Sequence, residues 1–332
     1  MNLLITGGAG FIGSNFIRHI LNKYPGYKII NLDKLTYAGN LSNLRDIENN
    51  PRYGFVRGDI CDRKLVNFLV SKRPDAILNF AAETHVDRSI LAPQDFIKTD
   101  ILGTHTLLEA AKKYRTDIFI QISTDEVYGS ILNGSFVEES PLRPNSPYSA
   151  SKAGADLMVR AYQKTFAVPT LITRSSNNFG PFQYPEKLIP LFITNLLEDK
   201  KVPVYGDGEQ VRDWVYVLDN CSGIDYVLHN GQIGEIYNIS GNTEKTNLDI
   251  TKIILTHLGK NESYIEYVKD RPGHDRRYSL SFDKLYNLGW RPRYDFSEAM
   301  AKTIQWYKEN PDWWQKIKSG EYLEYYREQY GK

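Results

Sequence analysis

The stretch NLLITGGAGFIGSNF, residues 2–16, determines the fold that the sequence predicts. A short apolar run leads into a glycine-rich turn, and apolar residues then recur at helical spacing. Gly8, Gly10 and Gly13 fit the pattern G-x-G-x-x-G, and Gly7 begins the alternative pattern G-x-x-G-x-x-G. Glycines at these positions permit a tight turn and let backbone N–H groups at the start of a helix approach a pyrophosphate. The stretch therefore predicts a strand, a turn and a helix that together bind a dinucleotide.

A carboxylate follows this turn at the spacing that is typical of dinucleotide binding. The next apolar run ends in Asp33, 20 residues after Gly13, where a carboxylate can bind the ribose hydroxyls of an adenosine. The same charge repels a 2′-phosphate, so the sequence predicts NAD rather than NADP as the cofactor. Asp59 lies at the end of the third predicted strand, where it is either an adenine ligand or an ordinary turn aspartate.

The rest of the chain repeats this alternation of strands and helices. Predicted strands lie at residues 2–6, 27–33, 53–60, 75–82, 117–124 and 169–174. Helical patterns such as residues 11–24 and 100–114 separate them, which predicts an α/β fold with a Rossmann-type, doubly wound parallel sheet. Residues 1–180 form the predicted NAD-binding domain, to which segments around 205–240 return. Residues 181–332 mainly form a smaller C-terminal lobe that binds the substrate.

Composition excludes several classes of function. The 41 basic and 40 acidic residues nearly cancel and no basic run stands out, so neither nucleic acid nor a membrane surface is an expected partner. No stretch approaches the roughly 20 apolar residues of a membrane-spanning helix, and the N-terminus does not resemble a signal peptide, so a cytoplasmic location is predicted. The cysteines, Cys61 and Cys221, are far apart and the six histidines lack metal-ligand spacing, so neither a disulfide nor a metal is expected.

Two further segments carry candidate catalytic groups. In YSASK, Tyr148 and Lys152 are four residues apart and follow Pro147, so one helical turn places both on the same face. An ammonium group lowers the pKa of a nearby phenol from about 10 towards neutrality, which makes Tyr148 a usable base for an alcohol being oxidised. The segment STDEVYG, residues 123–129, adds two adjacent acids after a predicted strand, but such acids are often solvated turn residues.

Taken together, these motifs resemble the extended short-chain dehydrogenase/reductase superfamily and, within it, the dTDP-glucose 4,6-dehydratase family. The similarity extends over nearly the whole chain and includes TGGAGFIGSNF, NFAAETHVDRSI, STDEVYG, YSASKAGAD, RSSNNFGPFQYPEKLIP and DRPGHDRRY. The glycine and Tyr-x-x-x-Lys motifs identify only the superfamily. STDEVYG is more specific, because relatives that epimerise or oxidise usually lack the two acids. Ser176, Phe179, Phe182 and Thr84 differ from the residues frequent in the family, which affects expected substrate contacts and not the chemistry.

The resemblance implies an NAD-dependent hydro-lyase that acts on dTDP-glucose. In that reaction Tyr148, assisted by Lys152 and Thr124, takes the proton of the 4-hydroxyl while NAD accepts a hydride from carbon 4. Glu126 then removes the proton on carbon 5, and Asp125 protonates the departing 6-hydroxyl. The hydride returns to carbon 6, which gives the 4-keto-6-deoxy sugar and regenerates NAD.

Binding residues are implied by the same resemblance. Those implied for NAD are Gly7, Gly10, Phe11, Ile12, Gly13, Asp33, Lys34, Thr36, Asp59, Ile60, Ala81, Thr99, Tyr148 and Lys152. Those implied for the nucleotide sugar are Glu83, Thr84, Asn178, Lys187, Leu188, Pro203, Tyr205, Arg212, Asn247, Arg271, His274 and Tyr278. Among the latter, Lys187, Arg212 and Arg271 supply positive charge for a diphosphate, which Arg can bind through two parallel hydrogen bonds.

Three alternatives stay open at the level of sequence. A UDP-glucose 4,6-dehydratase can carry the same STDEVYG segment, and its base differs by one methyl group, which is worth only about 1–3 kcal/mol. A nucleotide-sugar 4-epimerase shares the fold, the cofactor, Tyr148 and Lys152. An NAD-binding regulatory protein shares the fold without catalysis. The resemblance also implies a homodimer that pairs through the helical segments 93–114 and 147–166.

Overall fold

A seven-stranded parallel sheet forms the centre of the structure, a computed structural model that describes residues 1–270 and 273–319. The strands are β1 (Asn2–Thr6), β2 (Lys28–Asp33), β3 (Tyr53–Arg57), β4 (Ala76–Asn79), β5 (Ile118–Thr124), β6 (Thr170–Ser175), β7 (Asn177–Phe179), β8 (Val202–Tyr205), β9 (Val211–Tyr216), β10 (Ile236–Ile239), β11 (Glu244–Thr246) and β12 (Ile265–Val268). The helices are α1 (Phe11–Lys23), α2 (Arg63–Val70), α3 (Val86–Leu91), α4 (Pro93–Phe96), α5 (Thr104–Tyr114), α6 (Pro147–Phe166), α7 (Leu188–Leu197), α8 (Val217–Asn230), α9 (Asn247–His257), α10 (Asp283–Leu288), α11 (Phe296–Glu309) and α12 (Pro311–Ile317). A π-helical turn, Ile97–Gly103, joins α4 to α5.

The strand order identifies the fold. In the central sheet it is β10-β6-β5-β4-β1-β2-β3, and all adjacent strands are parallel. The order reverses direction between β1 and β4, which creates the crevice where ligands bind in doubly wound sheets. Strand β10 pairs with β6, so the chain returns to the central sheet after leaving it. This topology confirms the predicted α/β class and the Rossmann-type sheet.

Helices cover both faces of the central sheet, which explains why its strands read as nearly continuous apolar runs. Alternate side chains of a strand point to opposite faces. Leu3 and Ile5 of β1 accordingly belong to one buried cluster with Phe16 of α1. Leu4 belongs to a second cluster with Leu107 of α5. The dinucleotide-type turn after β1 is therefore supported from both sides of the sheet.

Two small sheets form the C-terminal lobe. Strand β9 lies between β7 and β11 in a three-stranded sheet, and β8 pairs in parallel with β12. These sheets, with α7 and α9, confirm that a smaller C-terminal part accompanies the Rossmann-type sheet.

The acids of STDEVYG lie just beyond the end of β5. The strand ends at Thr124, and Asp125–Tyr128 form one 3₁₀ turn. The hydroxyl of Thr124 caps this turn by accepting the Glu126 backbone N–H at 3.2 Å. Asp125 and Glu126 are therefore neighbours on a turn, rather than strand residues that face opposite sides of the sheet.

None of the helices within residues 1–270 and 273–319 combines the length and apolar character needed to cross a bilayer. The same residues hold no cluster of three or more His, Cys, Asp or Glu side chains suited to a metal ion.

Candidate active site

Two adjoining cavities open at the carboxyl ends of the central strands. The first, of about 220 Å³, is lined by all of the residues predicted to bind the cofactor: Gly7, Gly10, Phe11, Ile12, Gly13, Asp33, Lys34, Thr36, Asp59, Ile60, Ala81, Thr99, Tyr148 and Lys152. The second, of about 150 Å³, is lined by Glu126 and by most of the residues predicted to bind the sugar nucleotide: Lys187, Leu188, Pro203, Tyr205, Arg212, Asn247, His274 and Tyr278. Lys187 lines both cavities, so it marks the junction between them.

The glycine turn after β1 has the shape that a pyrophosphate needs. Gly7 has φ +69°, and a Cβ there would lie 2.5 Å from the backbone nitrogen of Ala81. A Cβ on Gly13 would lie 2.5 Å from the carbonyl oxygen of Gly7. Helix α1 begins after Gly10, which has no side chain to cap the first N–H groups. The first turn of α1 can therefore donate to a phosphate, and a dinucleotide fits this cradle.

Asp33 is held in place at the end of β2. Its carboxylate accepts the Ala9 N–H at 2.9 Å and the Leu35 N–H at 2.8 Å. Burial raises the pKa of Asp33, although these two N–H donors oppose that effect. Nearby, Lys34 and Asp59 form an ion pair at 2.9 Å. The carboxylate predicted to distinguish ribose from its 2′-phosphate is thus fixed beside the glycine turn.

Replacing Gly7 by Ala is expected to lower NAD affinity by about tenfold or more, because a strained left-handed backbone costs about 1–3 kcal/mol. The added Cβ also clashes with the chain at Ala81, which lines the same cavity. Isothermal titration calorimetry with NAD measures the change. Gly26→Ala is the control, because Gly26 is exposed and a Cβ there meets nothing within 4 Å. Equal affinities for the two variants would contradict the proposed cradle.

The catalytic candidates converge beside the junction of the cavities. The Thr124 hydroxyl donates to Asp125 Oδ1 at 3.1 Å. Lys152 is buried and donates to the Ile122 carbonyl oxygen at 2.8 Å. Helix α6 presents Tyr148 and Lys152 on one face, and Ser146 caps the start of that helix. The residues predicted for catalysis are therefore brought together on β5, its following turn and α6.

The pKa of Tyr148 differs from the direction that the sequence predicts. Burial and the negative charges of Glu126, Asp100 and Asp125 raise the pKa of Tyr148 well above its ordinary value. The predicted lowering of the pKa depends on Lys152 alone, whereas the folded site adds these carboxyl groups. A phenol in this position needs additional positive charge nearby before it becomes a base near neutral pH.

Asp125, the predicted acid, must hold a proton in order to donate it, and its surroundings favour the protonated form. It is 2% exposed, and burial together with the charges of Glu126 and Asp213 raises its pKa well above the ordinary value. Its Oδ2 has no hydrogen-bond partner among the described residues. Asp125 is therefore suited to hold a proton and donate it.

Several predicted substrate residues lie elsewhere than the second cavity. Glu83 and Thr84 line the first cavity instead. Asn178 lines neither cavity, because its side-chain amide donates to Ser175 and to the Ser176 carbonyl; Asn177 lines the second cavity in its place. Arg271 lies outside the described residues.

Comparison with known proteins shows the family to which the chain belongs. The family model described as GDP-mannose 4,6 dehydratase matches residues 4–303. The dTDP-glucose 4,6-dehydratase of Actinoplanes sp. is 50% identical over 320 residues, which are 95% of this chain and 100% of that protein. The crystal structure of dTDP-glucose 4,6-dehydratase from Streptomyces venezuelae, solved with NAD, is 51% identical and has a TM-score of 0.94. That match covers 96% of this chain and 100% of the solved one. The chain belongs to the dTDP-glucose 4,6-dehydratase family.

The overall fold alone does not distinguish the dTDP-glucose 4,6-dehydratase family from its relatives. UDP-glucuronic acid 4-epimerase from Bacillus cereus has a TM-score of 0.88 at 30% identity, over 93% of this chain and 99% of that one. Function must therefore be argued from the side chains of the site.

Two buried acids of this dTDP-glucose 4,6-dehydratase family member were not predicted from sequence. Asp100, on the π-helical turn, accepts the Ser151 hydroxyl at 2.5 Å, and burial raises its pKa to about 6. Glu186 accepts the Tyr37 hydroxyl at 2.7 Å and pairs with Arg88 at 3.1 Å. Asp100 could have been recognised in the sequence as an acid among the apolar residues of a helical pattern. Glu186 gives a weaker signal, because it lies in a loop.

Proposed function

We propose that this chain is an NAD-dependent dTDP-glucose 4,6-dehydratase, which converts dTDP-glucose into dTDP-4-keto-6-deoxyglucose and water. The observation that supports this most strongly is the pair Asp125 and Glu126, held on one turn beside Tyr148. Burial and neighbouring charge favour the protonated form of Asp125. Glu126 is half-buried and lines the second cavity. One turn thus carries an acid and a base for a single elimination.

Elementary chemistry explains why an elimination needs this site. The proton on carbon 5 of glucose is barely acidic, and a ketone at carbon 4 makes it removable. NAD, bound in the first cavity, supplies the redox chemistry by accepting a hydride from carbon 4 and later returning it to carbon 6. A transient oxidation therefore precedes the loss of water, and no external reductant is consumed.

The side chains of the site supply the proton transfers. Tyr148 takes the proton of the 4-hydroxyl, with the ammonium of Lys152 favouring the phenolate and Thr124 hydrogen-bonding to the same oxygen. Glu126 removes the proton on carbon 5, and Asp125 protonates the 6-hydroxyl as it leaves. Glu126 finally returns its proton to carbon 5. Each positioned proton transfer contributes about 10²–10⁴-fold to the rate.

Arg212 is the candidate for binding the diphosphate. It is 5% exposed, lines the second cavity, and lies over the ring of Tyr278 at 4.3 Å. Its guanidinium also donates to the carbonyl oxygens of Val211 and Asp275, which fix its direction. A guanidinium held in this way can bind phosphate oxygens without losing much side-chain entropy.

We further propose that the enzyme is a cytoplasmic homodimer. Exposed apolar side chains on segments 93–114 and 147–166 support pairing through these helices, among them Ile97, Leu102 and Leu157. The π-helical turn that carries Ile97 and Leu102 packs beside α6, which carries Leu157, and exposed apolar side chains on neighbouring helices favour a protein partner.

The test is mass spectrometry of the purified protein incubated separately with dTDP-glucose and UDP-glucose in deuterated water, without added reductant. We expect dTDP-glucose to lose one water and to gain one solvent deuterium fixed at carbon 5, because the base returns an exchanged proton there. The ratio of the rates for the two nucleotides identifies the preferred base.

Other outcomes would contradict the proposal in recognisable ways. A sugar of unchanged atomic composition with inverted carbon 4 would indicate a 4-epimerase. Faster dehydration of UDP-glucose would indicate the uridine enzyme. Unchanged sugars in the presence of bound NAD would favour a regulatory protein that binds the cofactor without turnover.

A further inference from the structure

The last helix that the structure describes, α12, contributes a side chain to the first cavity. Trp313 lines that cavity together with Gly7, Gly10 and Gly13 of the glycine turn. Its side chain is half-buried. The helix belongs to residues 181–332, which the sequence predicts to bind mainly the substrate. A side chain from this part of the chain nevertheless forms a wall of the cofactor cavity.

One side-chain amide connects Trp313 to the glycine turn. The indole Nε1–H of Trp313 donates to Asn43 Oδ1 at 2.8 Å. Asn43 Nδ2 donates in turn to the carbonyl oxygen of Ala9 at 2.8 Å, and Asn43 itself lines the first cavity. An amide has separate donor and acceptor atoms, so Asn43 makes both bonds at once. Helix α12 is therefore attached to the turn that is predicted to hold the pyrophosphate.

A cluster of aromatic rings also supports Trp313. Phe182, another residue that lines the first cavity, meets Trp313 edge to face with ring centroids 6.0 Å apart. Trp306 of α11 contacts both rings, at 4.7 Å from Phe182 and 5.1 Å from Trp313. The guanidinium of Arg18 on α1 lies 4.2 Å from the Phe182 ring centroid. Tilted and edge-to-face rings attract one another beyond their buried area, so these contacts fix the direction of the indole.

The proposed reaction explains why the cofactor cavity benefits from such a wall. The hydride taken from carbon 4 returns to carbon 6, so the cofactor ends each turnover in the form in which it began. Release of the cofactor between turnovers would only leave the enzyme empty. This advantage of slow release rests on the proposed function.

We propose that Trp313 is a cofactor-retaining residue, which closes the first cavity beside the glycine turn and slows the release of NAD. Movement of the indole away from the cavity breaks its bond to Asn43 and separates its ring from Phe182 and Trp306. The loss of these contacts raises the barrier to release. Mutations at a binding site change dissociation rates more than association rates, so the effect of Trp313 belongs in the dissociation rate.

The dissociation rate of NAD tests the proposal. Full-length protein is loaded with radiolabelled NAD and mixed with an excess of unlabelled NAD, and the label that stays bound is followed over time by rapid filtration. Trp313→Ala should release NAD about tenfold or more faster than the wild-type protein, because truncating a tryptophan at a binding site removes many contacts. Trp313→Phe keeps a ring and loses only the bond to Asn43, so its release should be about fivefold faster.

Trp290→Phe is the matched control. The Trp290 indole also donates one hydrogen bond, to Ser222 Oγ at 2.9 Å, and it lines neither of the two cavities. The control variant therefore loses the same kind of bond at a site away from the cofactor. Its rate of NAD release should equal that of the wild-type protein.

Binding of dTDP provides a second readout, because Trp313 does not line the second cavity. The affinity of the Trp313 variants for dTDP should equal that of the wild-type protein, which a general loss of structure would not allow. If Trp313→Ala fails to fold, Trp313→Phe decides the question. Equal release of NAD from the wild-type protein and Trp313→Phe would overturn the proposal, as would equally fast release from Trp290→Phe. Absence of dehydrated product from a wild-type protein that binds NAD would instead overturn the proposed function.

Discussion

Replacing Tyr148 by Phe is expected to lower kcat for dTDP-glucose by about 10²–10⁴-fold while NAD remains bound. In the proposed reaction the phenol is the group that takes the 4-hydroxyl proton, and phenylalanine cannot replace it in that role. Phe keeps the ring and its edge contact with Phe96, whose centroid lies 6.2 Å away. The cavity should therefore retain its shape. Steady-state product formation and the NAD content of the purified variant measure the two parts of this expectation.

Tyr162→Phe is the matched control for this variant. Tyr162 lies on the same helix, α6, and its hydroxyl bonds to Glu109, away from both cavities. Its loss should leave kcat unchanged. If Tyr148→Phe kept more than a tenth of the wild-type kcat, Tyr148 would not be the base, and the first step would have to be assigned to another group.

The parts of the site that sequence predicts well are local. Gly7, Gly10 and Gly13 share one turn, and their spacing already specifies a strand, a cradle and a helix. Asp33 ends β2, the next strand along the chain, so its position in the sequence already predicts that it lies at the carboxyl ends of the parallel strands. Tyr148 and Lys152 need only one helical turn to lie on the same face of α6. In each case the placement follows from a few residues of regular structure.

Features that depend on several elements could not be predicted. The direction of the Tyr148 pKa results from Glu126 and Asp125 on the turn after β5 and from Asp100 on a π-helical turn. No spacing in the sequence places these charges beside one phenol. The side chain of Asn178 likewise turns to Ser175, a contact that depends on the loop conformation. The pKa of a buried group and the conformation of a loop depend on side chains from many parts of the folded chain. A sequence motif reports only residues that are close together in the sequence.

Replacing Asp125 by Asn is expected to lower product formation by about 10²–10⁴-fold, because an amide cannot protonate the departing hydroxyl. The variant should still oxidise carbon 4, so reduced nicotinamide should accumulate after dTDP-glucose is added. Absorbance of the reduced cofactor and mass spectrometry of the sugar separate the two steps. Asp117→Asn, at the exposed opposite end of β5, is the control and should change neither signal.

The stability of Asp125→Asn relative to the wild-type protein should also depend on pH. The direction of that dependence reports whether Asp125 is protonated in the folded protein. In the folded wild-type protein the pKa of Asp125 is raised, whereas the unfolded value is about 3.9. Between these values the folded state binds the proton more tightly, so wild-type stability falls as pH rises above about 4. Asn has no such dependence. The free energy of unfolding of the variant, relative to wild type, should therefore increase from about pH 5 to about pH 8 in urea titrations.

Loss of elimination together with this gain in relative stability is the combination that only a buried, protonated acid produces. A variant disabled by misfolding would lose stability at every pH. A solvated turn aspartate would leave the difference in unfolding free energy independent of pH. If dehydration persisted in Asp125→Asn, the proton for the leaving hydroxyl would have to come from elsewhere. The general acid could then not be assigned to this turn.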